Sequence, residues 1–114
     1  MASTQDFVEY ICERLEGVGV IRTLKMFGEY CIYIDEKAAI LVCDDIPYIK
    51  KHPAISHLMG NAECGFPFEG AKEHYILNLE HADEAREIMA TLVPALDYPK
   101  KKVRKKKQKG NEKN

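Results

Sequence analysis

Tryptophan is absent from the 114 residues, and serine occurs only at Ser3 and Ser56. Neither serine stands in a Gly-x-Ser-x-Gly setting, which excludes the nucleophile elbow of a serine hydrolase. No run of about 18 apolar residues is present, so no segment is long and apolar enough to cross a bilayer as a helix. The first residues, Met1-Ala2-Ser3-Thr4-Gln5-Asp6, carry no basic region and no long apolar run. They do not read as a secretory signal, and a cytoplasmic chain is expected. Gly17-Val18-Gly19 lacks the third glycine and the leading strand of a phosphate-cradling loop.

Paired cysteines are also missing. Cys12, Cys31, Cys43 and Cys64 form no Cys-x-x-Cys pair, and each sits among apolar neighbours. Without an export signal they are expected to be reduced, mostly buried thiols rather than a disulfide framework. His52, His57, His74 and His81 have no metal-ligand spacing, since His52 and His57 are five apart and do not stack on one helical face. No metal and no cofactor is expected. A small enzyme or metal protein would show a pocket with two or more convergent polar groups and a bound ion, and a cleft gathering His57, His74 and Cys64 would favour that reading.

What the chain does have is charge, unevenly placed. Residues 1–99 hold eight Lys/Arg against seventeen Asp/Glu, and residues 100–114 hold nine Lys/Arg against one acid. A net charge of −1 therefore hides an acidic body and a strongly basic tail. The body is expected to be one folded domain, residues 1–99, since a 46% hydrophobic share is globular. After Pro99 a single aliphatic residue, Val103, stands among lysines, too little apolar surface to offset ordering entropy, so a disordered tail is expected.

Lys100, Lys101, Lys102, Arg104, Lys105, Lys106, Lys107 and Lys109 are the candidate phosphate contacts. Lysines bind phosphates as point charges with little sequence discrimination. No aromatic follows Tyr98, so the tail has no ring on which to stack a base. Engaging all eight net tail charges on single-stranded nucleic acid would give a log–log salt slope near −6 as an upper bound. The competing readings are a solvated tail folded back on the acidic body and an arm for another anionic partner such as a membrane surface.

Along the body, Ser3 or Thr4 can cap a first helix running to Glu16, with Phe7, Val8, Ile11 and Leu15 on one face. Gly17 stops it and Gly19 loosens the loop that follows. Tyr30 to Ile34 and Ala38 to Cys43 are β-rich runs around the polar break Asp35-Glu36-Lys37 and predict a hairpin. Both runs are apolar on both faces, so this hairpin is central in its sheet or lies against a partner, and a homodimer through it is one arrangement the pattern allows. Asp44-Asp45-Ile46-Pro47 reads as a turn, and Tyr48-Ile49 as a short third strand. A metal role for Asp44 and Asp45 needs further oxygens that the sequence does not supply.

Pro53 to Met59 predicts a short helix, Phe66-Pro67-Phe68 an extended piece, and Tyr75 to Leu79 a strand. A last helix opens at Asp83 and Glu84, and Pro94 is expected to kink it or end it near Leu92. The order α-β-β-β-α-β-β-α defines an α+β domain with an antiparallel sheet and flanking helices.

Met26-Phe27-Gly28-Glu29-Tyr30, preceded by Phe7-Val8-Glu9-Tyr10 and followed by Asp44-Asp45 with Tyr48 and Lys50, resembles the TfoX (Sxy) N-terminal domain family. The resemblance covers about residues 3–96. It implies a fold like that of secretion chaperones, α-β3-α-β2-α, and a link to regulation of natural competence and transcription. It supplies no catalytic residues. In the longer members a second, helical domain follows, and here the lysine tail stands in that place. Two local departures are visible: Glu29 and Cys31 flank Tyr30 where the family often has Gly-Tyr-Gly, and Pro47 interrupts the run into the third strand.

Within the motif of Met26, Phe27, Gly28 and Tyr30, the packing reading has Met26 and Phe27 plugging the core where the loop enters the strand, with Gly28 allowing a positive φ. The functional reading is a partner- or ligand-binding loop. Together these features predict a small non-enzymatic regulatory or adaptor protein whose body contacts an unidentified protein and whose tail meets DNA or RNA. The alternatives are a non-specific nucleic-acid binder or a small metal protein or enzyme.

Overall fold

The computed structural model describes residues 4–98. The lysine-rich segment and its candidate phosphate contacts lie outside the described residues. The first helix, α1, spans Gln5–Arg14. Thr4 caps it, its hydroxyl accepting from the Phe7 amide at 3.3 Å, and Asp6 lies in the first turn near the positive end of the helix dipole. Val8, Ile11 and Leu15 are buried on one side. The helix ends two residues before Glu16, with Leu15 as its C-cap and Gly17 at φ 95°. Gly17 takes a left-handed conformation there that a Cβ would oppose.

Four strands follow as a meander: β1 Ile21–Met26, β2 Glu29–Ile34, β3 Lys37–Cys43 and β4 Ile46–Ile49. Three two-residue loops join them: Phe27-Gly28, Asp35-Glu36 and Asp44-Asp45. All six loop residues have positive φ, the pattern of type I′ turns, whose twist matches that of the flanking strands. Asp tolerates this region because its short side chain bonds nearby backbone. Asp35 does so visibly: its carboxylate accepts from the Val20 amide at 2.9 Å and its own amide donates to the Val20 carbonyl at 2.8 Å. The Asp45 carboxylate accepts from the Thr4 amide at 2.8 Å and so fastens the start of α1 to the β3–β4 turn.

Strand β1 is an addition to the expected order, since the sequence reading placed a loop there. It pairs in register with β2 from Ile21 opposite Ile34 to Met26 opposite Glu29. Lys37 belongs to β3 rather than to the turn before it, and β4 begins at Ile46, so both polar breaks are shorter than expected. The central place of the β2–β3 hairpin agrees with its two apolar faces. A bulge at Ala39 sets Tyr33 opposite Ala38 and Ile32 opposite Ile40.

After β4 the chain makes a 3-10 helix, Pro53–Leu58, in place of the expected short α-helix. Pro53 stands at its start, and the His52 Nδ1 atom accepts from the Ala54 amide at 3.0 Å. Strand β5 is only Cys64–Gly65, and β6 is His74–Ile76. Phe66-Pro67-Phe68 therefore lies in a bend just beyond a strand, and β6 starts and stops earlier than Tyr75 to Leu79. The sheet order is β1-β2-β3-β4-β6-β5, antiparallel throughout.

The last helix, α2, spans Ala82–Ala95 with Pro94 inside it, so of the two expectations for Pro94 the end near Leu92 is not the one realised. Pro94 and Ala90, whose carbonyl loses its usual donor, both lie on the exposed side, so that carbonyl is not left unsatisfied in the core. The Val93 carbonyl at that end accepts from the Lys37 ammonium at 3.1 Å.

The core lies between the helices and one face of the sheet. Ile32, Ile34, Ile40, Val42 and Ile49 meet Ile11, Leu15, Met89 and Leu92 there, all fully buried. The fold is α+β, with an open six-stranded antiparallel sheet and a helix at each end of the described chain.

Candidate interaction surface

The family motif is where the structure departs most usefully from expectation. Met26 and Phe27 do not plug the core. Met26 is 40% exposed and Phe27 is fully exposed, because the loop expected at that point is the tip of the β1–β2 hairpin. Phe27 stands at φ 52° and Gly28 at φ 83°. Glycine suits that region, whereas a bulky side chain there is unusual and strained. Tyr30, the last motif residue, is buried in the core, with the Lys25 ammonium 6.0 Å above its ring. The motif thus splits into an inward anchor and an outward tip.

The tip continues into an exposed strand. Seven large apolar side chains are exposed among the described residues; four of them, Val20, Leu24, Met26 and Phe27, lie on β1 or beside it, making one patch. On the face of β1 away from the core, Arg22 stacks over the Tyr33 ring at 4.4 Å and pairs with Glu36 at 3.0 Å. That same face carries a cross-strand row through Leu24, Cys31, Leu41, Tyr48 and Ile76, read from the register of five strands. Phe66 and Phe68 are exposed near its far end, after β5. On the core face, a groove of about 580 Å³ runs between α1 and β1, with Glu9 and Glu13 on one wall and Thr23 and Lys25 on the other.

The other candidate groups are dispersed. Asp44 and Asp45 form a turn, as their residue type favours. A cleft of about 960 Å³ lies between α1, residues 57–63 and the start of α2. It takes in His57, Glu63, Glu80 and Glu84 but neither His74 nor Cys64, so it does not gather the three side chains whose meeting would have favoured an enzyme or metal reading. Among the described residues, no group of three or more His, Cys, Asp or Glu is placed to hold a metal ion.

All four cysteines are free thiols. Cys31 and Cys43 are buried and Cys12 is half-buried, but Cys64 is exposed because β5 is a two-residue edge strand. Burial raises the Cys31 thiol above its ordinary value, and burial with the nearby Glu29 and Asp44 does the same to Cys43. Cys12 is raised by burial and by Glu9. These three therefore stay protonated, which makes them poor nucleophiles.

The sequence identified the motif but not its exposure. The signal for exposure was the strand before it: Ile21-Arg22-Thr23-Leu24-Lys25-Met26 carries a charge on each face, as an edge strand can and a buried one cannot.

The family model of the TfoX N-terminal domain matches residues 13–95, and the chain belongs to that family. It is also 29% identical over 112 residues to an uncharacterised 12.7 kDa protein in the trpE 5' region of Spirochaeta aurantia, covering 96% of this chain and 97% of that protein. No helix among the described residues is long and apolar enough to cross a membrane.

Proposed function

We propose that this chain is a small, non-enzymatic regulatory or adaptor protein of the cytoplasm. Its body works by protein contact, and residues 100–109 tether it to DNA or RNA. The observation that carries the reading is the outward display of the family motif: a fully exposed Phe27 at the hairpin tip, held at a positive φ that a bulky side chain rarely adopts. Membership of the TfoX N-terminal domain family supports a role in transcriptional regulation of the kind linked to competence. The tail supplies local concentration and the body supplies selectivity, a division that the opposite charges of the two segments favour.

Fluorescence anisotropy on labelled single- and double-stranded DNA and RNA tests the tether. The full chain and a version ending at Pro99 are titrated at about 50 and about 200 mM salt, the range in which phosphate contacts weaken sharply. The full chain is expected to bind, to weaken steeply with salt, and to lose binding on truncation. Absence of binding by either form at the lower salt sinks the tether.

A further inference from the structure

The outer edge of β1 is open along its whole length: β1 pairs only with β2 among the described strands. Its backbone polarity follows from the turn. In a two-residue hairpin the closing pair, here Met26 and Glu29, exchanges both hydrogen bonds, and alternate pairs repeat the pattern. Met26, Leu24 and Arg22 therefore direct their amides and carbonyls toward β2. Ile21, Thr23 and Lys25 direct theirs outward. The bond from the Asp35 amide to the Val20 carbonyl keeps the same alternation.

We infer that this edge is the contact surface for a second copy of the chain. It pairs antiparallel with β1 of that copy about a two-fold axis normal to the sheet, with Leu24 opposite the partner's Leu24. The inference rests on reading the motif hairpin as a contact surface and names its occupant.

Symmetry restricts the register. A two-fold axis normal to the sheet keeps the helices of both copies on one side, so residues that face each other must share a sheet face. Arg22 then cannot sit opposite the partner's Lys25, and the like-charge clash this strand would otherwise carry is removed.

Centring on Leu24 uses everything exposed there. Leu24 meets its own copy in a close, non-hydrogen-bonded pair. Met26 lies along the stem of the partner's Arg22. Phe27 covers the partner's Ile21, and Val20 lies beside the partner's Gly28. Thr23 and the partner's Lys25 exchange two backbone hydrogen bonds through their outward groups. That pairing also brings the partner's Lys25 to the groove wall formed by Thr23, facing Glu9 and Glu13 of α1. The complementarity of charge selects this register over one centred on Thr23, where the partner's Lys25 would face Ile21 and Phe27 would cover only Gly19. A six-stranded sheet becomes a continuous twelve-stranded one, and the apolar row of each copy runs on into the other.

Sedimentation equilibrium of the full chain from about 1 µM to about 1 mM spans the affinities such an interface can have. The expected result is a dimer that the Thr23→Pro variant abolishes while its circular dichroism is kept, because proline removes an outward amide that β2 does not use. A gain of signal guards against misfolding. Cys31 lies directly opposite Leu24 on β2 and would capture a new thiol there, so the background is Cys31→Ala with Cys64→Ser; in it, Leu24→Cys is expected to form a disulfide-linked dimer on mild oxidation, since facing Cα atoms about 4.5 Å apart fall within disulfide geometry. A chain that stays monomeric across the range overturns the inference and leaves the edge for a strand of another protein. Cross-linking of Thr23→Cys in place of Leu24→Cys also overturns it. Neither result touches the nucleic-acid assay on the tail, so the two readings fail separately.

Discussion

The two edges of the sheet end in different ways. At one end β5 contributes only Cys64 and Gly65, too short a segment to template another strand. At the other end β1 offers six residues, five of them exposed, with Phe27 at the tip. Arg22 and Lys25 put a charge on each face of that edge, one of the ways sheets discourage unspecific pairing, so only a register that keeps these charges apart can use it. One edge thus ends the sheet by shortness, while the other leaves a six-residue strand whose outward backbone groups can pair, as the inference above requires.

Adjacent strands of equal length sharpen the point, because β1 and β2 are paired in register and yet carry opposite burdens. Ile32 on β2 is fully buried in the core, so Ile32→Ala is expected to lower stability by about 3 kcal/mol through lost transfer energy and the cavity left behind. On the adjacent strand Leu24, opposite Cys31 on the other sheet face, is 41% exposed, and Leu24→Ala should shift the monomer by less than about 1 kcal/mol. Urea unfolding near 1 µM protein, where the interface described above is diluted out, measures both. Equal losses would mean that β1 is packed in solution and that the comparison fails.

Phe27 gives a smaller effect of opposite sign. Phe27→Asn creates an Asn-Gly turn suited to two positive φ angles, and relief of the left-handed strain should raise thermal stability by about 1 kcal/mol. The same variant should weaken self-association, since the ring is gone from the tip. A fall in both would show that Phe27 is held by packing.

The smallest effect concerns the thiols of β2, β3 and α1 that burial keeps from ionising. Cys12, Cys31 and Cys43 have folded-state values raised above the ordinary 9.0, so the unfolded chain releases these protons first as pH rises. Their stability contribution is intact below about pH 9 and is lost progressively above it. The urea midpoint should therefore fall between pH 7.5 and about pH 9.5. A midpoint that does not move over this interval would mean that the thiols are as free to ionise in the fold as outside it.

Much of the architecture was legible from residue pattern. The β2–β3 hairpin could be read because Ile, Tyr, Val and Leu fill both faces around a short polar break, and α1 because its apolar residues keep one face behind a Thr cap. Strand β1 could not be read, because Arg22 and Lys25 fall on opposite faces and erase the alternation that marks a half-buried strand. Its conformation comes from pairing with β2, not from its own periodicity. The end of α2 was missed for a similar reason: Pro94 breaks a helix when its ring meets the core side, and here the exposed side absorbs it. Of the candidate site, the motif was visible and its orientation was not, since apolar residues beside a glycine serve a core and a surface tip alike.

The three two-residue turns also bear on the order of events in time. From β1 to β4 every strand's partner is its neighbour along the chain, so each pairing closes a loop of the shortest length a hairpin permits. Hairpins of this kind form within about 1–10 μs. The partner that β4 needs on its other side is His74–Ile76, reached only after the 3-10 helix and β5 have been passed. The first half of the molecule can therefore assemble early during synthesis, and the rate at which folding finishes is set by the long closure that delivers β6.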